Sequence, residues 1–255
     1  VWEDQDDQDG KRSGVKATAI LSKTVNGITT DIREEAIGVE DDWSVTWNDL
    51  PAFEEGMPIT YSVREALANA NGYVSDSTES VEVSHNGTAT FVNTHKPEET
   101  EATVKKVWDD AENQDGKRPG SLTVTLSNDT EVTLNEENGW TATVNDLPKY
   151  ANGEEITYTW TEGELPEGYK LTNTSVNGTV TTLTNSYTPE TTEAMVVKVW
   201  DDAENQDGKR PVELKVTLSN GTEVELNEAN DWTATVSNLP KYANGEEITY
   251  TWTEG

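Results

Sequence analysis

The chain has 255 residues and carries 49 Asp plus Glu against 18 Lys plus Arg, a formal net charge of −31. A field of that sign repels phosphate backbones and anionic lipid surfaces, so neither a nucleic-acid partner nor insertion into a membrane is expected. Cysteine is absent and only two His occur, which removes disulfides, thiol nucleophiles and Cys-based zinc sites. No apolar run approaches the roughly 20 residues of a membrane span and no signal peptide opens the chain, so the sequence reads as an excerpt of something longer and soluble. Hydrophobic residues make up 33%, with nine Trp and eight Tyr, and burial concentrated in a few large side chains suits several small domains better than one large core.

The chain is a repeat. Residues 1–12 read VWEDQDDQDGKR, and a closer pair follows: 107–119 and 199–211 both read VWDDAENQDGKRP. LPKYANGEEITYTWTEG at 147–163 returns at 239–255, so the later two copies keep a constant period of 92 residues. The first copy is more diverged, with Leu50-Pro51 and an ITYSVRE segment at 59–65. Junctions fall at HKPEETEA (95–102) and YTPETTEA (187–194), short Pro, Thr and Glu stretches that read as linkers. Three domains are expected, at 1–97 without its first strand, 102–189 complete, and 194–255 without its last strands.

Each copy reads as short strands. Leu122, Val124 and Leu126 alternate with polar residues, as do Trp140, Ala142 and Val144, and as do Leu214, Val216 and Leu218; period 2 marks a half-buried strand. Asn-Gly pairs at Asn26, Asn71, Asn86, Asn177 and Asn220 supply positive-φ turns. With long helical stripes absent, about seven strands in roughly ninety residues predict an all-β fold of tandem Greek-key β-sandwiches.

Three polar residues break the alternation in the second copy. Lys106 shares a phase with Val104 and Trp108, Glu162 with Ile156, Tyr158 and Trp160, and Asn185 with Leu183 and Tyr187. Phe91, Asn93 and His95 hold the last of these places in the first copy. A Lys and a Glu buried together both lose charge, since desolvation lowers an amine's pKa and raises a carboxyl's. A neutral amine is a nucleophile. A protonated carboxyl can hydrogen-bond the Asn carboxamide oxygen and relay a proton as ammonia leaves. The product is a Lys-Asn isopeptide bond, formed once per domain, by proximity and without a cofactor.

The KVWDD..NQDGKRP opening, the LPKY..G.EITYTWTE segment and the terminal NSY are similar to the B-type repeat of Cna-like surface proteins of Gram-positive bacteria, over essentially the whole chain. The resemblance implies an inverse-immunoglobulin, prealbumin-like sandwich. It also implies that Lys106 and Asn185 are crosslinked under catalysis by Glu162. By the same pattern the first copy keeps Glu65 and Asn93, with its lysine expected before Val1, and the third keeps Lys198 and Glu254, with its asparagine expected after Gly255. Either the window is cut from a longer array, or a neighbouring molecule supplies the missing strand.

Other motifs carry less. The acidic loop at 109–116 fails the EF-hand spacing, because Ala111 and Leu122 fall where ligands are required; a solvated turn is expected, with no metal site assigned and a loose surface calcium site left open. Sequons at Asn86, Asn128, Asn173, Asn177 and Asn220 overlap turn positions. His is missing from the second and third copies, so no Ser-His-Asp arrangement can recur there. The expected role is a structural stalk or fibre module of a wall-anchored adhesin or pilus, outside the cell, with neighbouring repeats as partners and host matrix engaged through regions outside this window. The alternatives are an adhesive module using His85, His95 and Phe53 to bind a host matrix protein, and a polymerising pilin subunit.

Overall fold

The structure, a computed structural model, describes residues 1–255. It contains strands and five short 3-10 turns, with no α-helix. The chain divides into two compact units, one of Val1–Glu101 with Asn145–Thr157, the other of Ala102–Val144 with Tyr158–Gly255.

The second copy shows the sandwich most completely. A four-stranded sheet runs in the order Thr141–Pro148, Glu99–Asp109, Val180–Ser186, Lys170–Asn177, and a three-stranded sheet in the order Glu131–Asn135, Ser121–Leu126, Trp160–Glu162. The inward phase of both is apolar: Val104 and Leu183 from the first sheet and Val124, Leu126 and Leu134 from the second are essentially inaccessible. The first and last strands of the copy are parallel neighbours, paired from Thr103↔Val180 to Asp109↔Ser186. Parallel neighbours need a long crossover, and here the rest of the copy is that crossover.

The third copy, also in the second unit, has Thr191–Val197 paired with Thr233–Pro240 and a sheet of Glu223–Asn227, Glu213–Leu218 and Trp252–Glu254. Its core gathers Val216, Leu226 and Trp232, with Trp200 and Trp252 packed around them. In the first unit, Trp2–Glu3 pairs in parallel with Asn93–Thr94, Trp2 opposite Asn93, as Trp108 lies opposite Asn185. Two residues of the first strand are therefore present in the copy that was expected to lack it. The companion sheet runs Ile28–Ile37, Lys16–Val25, Thr60–Ala68, Val81–Val83.

Two local expectations change. The acidic loop is no solvated turn. Asp110 is buried and accepts from Arg118 Nε and Nη2 at 2.9 and 2.6 Å, from Tyr169 Oη at 2.8 Å and from the Asn113 N–H at 3.0 Å. That cage holds Ala111, Glu112 and Asn113 at φ of 51°, 57° and 62°, where non-glycine residues are unfavourable by about 1–2 kcal/mol each. Asp4, Arg12 and Tyr73 repeat it in the first copy; Asp202 and Arg210 repeat the ion pair in the third. The missed signal is an Asp and an Arg at the same offset in every copy. The first junction is ordered: Pro97 is buried and a strand begins at Glu99. Of the Asn-Gly pairs, Asn26, Asn71 and Asn86 have positive φ, whereas at Asn177 and Asn220 only the glycine does.

Burial alone would raise the Asp110 carboxyl, but the Arg118 and Tyr169 hydrogen bonds outweigh it and hold its pKa below the ordinary aspartate value. A depressed folded-state pKa contributes stability that is present above the unfolded value and lost as pH falls through the folded one. Asp110→Asn should therefore destabilise the second copy at neutral pH by about 3 kcal/mol, the low end for breaking a buried pair because Arg118 is partly exposed. The deficit should shrink below about pH 4; urea unfolding at several pH values measures both effects.

Candidate functional site

The strand pairing dictates where the three off-phase residues meet. Lys106 is opposite Leu183 and Trp108 opposite Asn185, so the lysine and the asparagine stand on adjacent strands of one sheet, both pointing inward. Glu162 is opposite Val124 in the other sheet and closes the group from across the core. Lys106 Nζ lies 3.3 Å from Glu162 Oε1, and Asn185 Nδ2 donates to that same oxygen at 3.2 Å. The side chains of Lys106 and Glu162 are 0% and 5% exposed and Asn185 is 0% exposed. All three are thus brought together away from solvent.

The surroundings are mostly apolar, with two further acceptors. Lys106 Nζ also donates to the backbone carbonyls of Val107 and Leu183, each at 3.0 Å, and lies 4.5 Å from the centre of the Trp108 ring. Burial lowers the lysine pKa; the Glu162 charge opposes the shift without cancelling it. Glu162 Oε2 and Asn185 Oδ1 are buried with no hydrogen-bond partner. A buried polar atom left without a partner costs about 1–3 kcal/mol, so the site holds unsatisfied polarity that an ordinary core would exclude. The amide orientation differs from expectation, because Nδ2 rather than Oδ1 faces the carboxylate.

The first copy reproduces two of the three positions. Asn93 Nδ2 donates to Glu65 Oε1 at 3.0 Å, Asn93 is buried and its Oδ1 again has no partner; Ser75 Oγ caps the other Glu65 oxygen at 3.2 Å. The third copy pairs Lys198 Nζ with Glu254 Oε1 at 2.6 Å, with side chains 23% and 54% exposed, and Lys198 lies 4.8 Å from the Trp200 ring. Reading the phases alone missed this aromatic platform, although a Trp two residues after the Lys was visible in both copies. His95 of the adhesive alternative is engaged internally, its Nε2 2.7 Å from Asp9 Oδ2 and its ring against Tyr73, while His85 and Phe53 are exposed. No group of three or more acidic or His side chains is placed to hold a metal ion.

A sandwich whose first strand runs beside its last, with a Lys, a Glu and an Asn enclosed between the sheets, defines a class of self-contained β-repeat. The sequence profile of the Cna protein B-type domain matches residues 1–94, 102–186 and 194–255, and the chain belongs to that family. It is 38% identical over 260 residues to the collagen adhesin of Staphylococcus aureus, an alignment that takes in 98% of this chain and 21% of that protein; the chain thus spans about a fifth of that relative. The solved structure of two B repeat units of the S. aureus collagen-binding protein matches with a TM-score of 0.58 and 37% identity, over 99% of this chain and 66% of that one. A single B repeat unit of the same protein is 43% identical over 62% of this chain and 86% of its own, with a TM-score of 0.31.

The contrast between copies gives a stability test. Glu162→Ala leaves a buried amine unpaired and should destabilise the second copy by about 3–5 kcal/mol where the crosslink has not formed. Glu254→Ala breaks a pair open to solvent and should cost under about 1 kcal/mol. Hydrogen exchange of the two copies, followed separately by mass spectrometry, resolves the difference.

Proposed function

We propose that the chain is a stalk or fibre segment of a Gram-positive cell-surface adhesin or pilus, locked by an intramolecular bond between Lys106 and Asn185. The observation that carries this reading is the single carboxylate oxygen, Glu162 Oε1, within reach of both the lysine amine and the asparagine amide in a dry core. Family membership and the S. aureus collagen adhesin relationship support the surface location and the structural role. Attachment to the wall, and any contact with host matrix, would act through regions outside residues 1–255.

The chemistry uses only these three side chains. Glu162 takes a proton from the Lys106 ammonium, a transfer favoured by burial because both partners become neutral. The free amine attacks Asn185 Cγ, a new C–N bond forms, and the bond to Nδ2 breaks. Nδ2 leaves as ammonia, receiving a proton from the Glu162 carboxyl that already faces it, and the surplus proton on the attacking nitrogen passes back to Glu162, which ends protonated. Proton and atom balances close without cofactor or metal, and the enzyme-like step occurs once. The same arithmetic leaves the first copy with an acid and an amide, and the third with an amine and an acid.

The bond's placement suits a load-bearing module. Tension entering along Glu99–Asp109 would cross from Lys106 to Asn185 and leave through the end of Val180–Ser186, so the residues between would carry none of it. The two positions are 79 residues apart in sequence, and closing a loop of that size stabilises by about 4–5 kcal/mol in the chain-entropy picture used for disulfides. The kinetic effect is larger, because forced failure follows the unfolding rate and the terminal strands could not peel apart. Intact mass spectrometry of the full chain should show the loss of one ammonia, and Glu162→Ala or Lys106→Met should retain it. Finding the parent at its unmodified mass after prolonged incubation would defeat the crosslink while leaving the family relationship untouched.

A further inference from the structure

Outside the Lys-Glu-Asn site, one contact recurs at corresponding places in both compact units. In the first, the Gly153 N–H donates to Gln8 O at 3.0 Å, and a Cβ placed on Gly10 would meet Gly153 Cα at 3.0 Å. In the second, the Gly245 N–H donates to Gln114 O at 2.9 Å, and a Cβ on Gly116 would meet Gly245 Cα at 2.7 Å. The donors sit at the tips of the short hairpins Tyr150–Ala151/Glu154–Glu155 and Tyr242–Ala243/Glu246–Glu247. The acceptors sit in the Gln-Asp-Gly loops of the preceding copies. Backbone meets backbone at each joint, a Cβ on the loop glycine would meet the hairpin's Cα, and all four glycines have positive φ.

Charged groups reinforce each contact. The residue that opens the hairpin, Lys149 or Lys241, donates its N–H to the carbonyl of Glu98 or Glu190 and its Nζ to the same residue's carboxylate, at 2.8 Å in both cases. Those glutamates lie in the Pro-Thr-Glu junctions. Asp115 ties the second junction to its loop by accepting from Tyr187 Oη at 3.0 Å and from the Glu190 N–H at 2.8 Å. In the first, Asp9 Oδ2 lies 2.7 Å from Nε2 of His95, which stands at the position of Tyr187. The buried Asp-Arg-Tyr cages described above hold both loops in shape.

We propose that the Gln-Asp-Gly loop of each copy is a socket, and that the glycine-tipped hairpin of the next copy is the plug that fixes successive repeats to one another. The third copy carries the same socket sequence, ENQDGKRP at 204–211. Its Gly208 has the same φ, +68°, and nothing within 4 Å of a Cβ. By its sequence this loop would accept the same Lys-Tyr-Ala-Asn-Gly hairpin.

Because the chain has no cysteine, spin labels at Lys117→Cys and Glu246→Cys report the second joint in the full chain. Pulsed dipolar spectroscopy should give one narrow distance distribution. Gly116→Ala should broaden it at least about two-fold, since the added Cβ strikes backbone, whereas Gly208→Ala imposes the same left-handed strain with no contact and should leave the width unchanged. A narrow distribution that survives Gly116→Ala, or a broad one in the parent, would overturn the joint; equal broadening by both substitutions would assign the effect to loop strain and overturn it too. A chain extended after Gly255 by a second copy of 164–255 continues the 92-residue register. Labels at Lys209 and at the added copy of Glu246 should then reproduce the parent distance, and a broad distribution there would refute the open socket.

Discussion

The parallel pairing of the first strand of a repeat with its last is the constraint on which the other features rest. It brings residues 79 positions apart in sequence into adjacent rows of one sheet, and it fixes the diagonal that places Lys106 beside Asn185. A slip of one residue would turn both side chains to the opposite face. The apolar residues on either side, Val104 and Leu183, guard against that slip because each is fully buried and each would be exposed by it. The hydrophobic pattern thus sets the register, and the register assembles the polar group.

Burying that group is unfavourable, and the structure shows where the cost is met and where it remains. Lys106 keeps a carboxylate, two carbonyls and an indole face around its amine, enough to hold a charge in a poor environment. Glu162 and Asn185 each keep an orphaned oxygen. The Asp110 cage is the opposite case: a buried carboxylate with four donated hydrogen bonds, stable as an ion. Asp110 and Glu162 are therefore differentiated by their donors, since the first has both carboxylate oxygens hydrogen-bonded and the second has one oxygen without a partner.

Much of this was legible from sequence because repetition exposes alternation. Thr157, Thr159 and Thr161 on the outer phase make the inward aim of Glu162 readable, and the side chains of Lys106, Glu162 and Asn185 are all enclosed. The acidic loop was not legible for the opposite reason. Its residues have no period, and a run of Asp, Glu and Asn looks solvated unless the arginine eight residues on and a tyrosine fifty-nine residues on are known to converge on it. Contacts made by backbone, such as Gly116 against Gly245, leave only a glycine in the sequence, and glycine has many other uses. The direction of an amide is also beyond any pattern of side-chain phase, since it depends on which neighbour it meets across the core.

The strict identity of 107–119 with 199–211 and of 147–163 with 239–255 has a consequence for length. Socket, the Asp-Arg pair of the cage, the aromatic platform and the plug all lie in these segments, so removing or inserting one whole period keeps the residues that make each of them. A gene encoding such units can gain or lose them by recombination between near-identical stretches, and each product would still fold. Reach then becomes a heritable quantity that changes in fixed steps, adjustable without designing anything new.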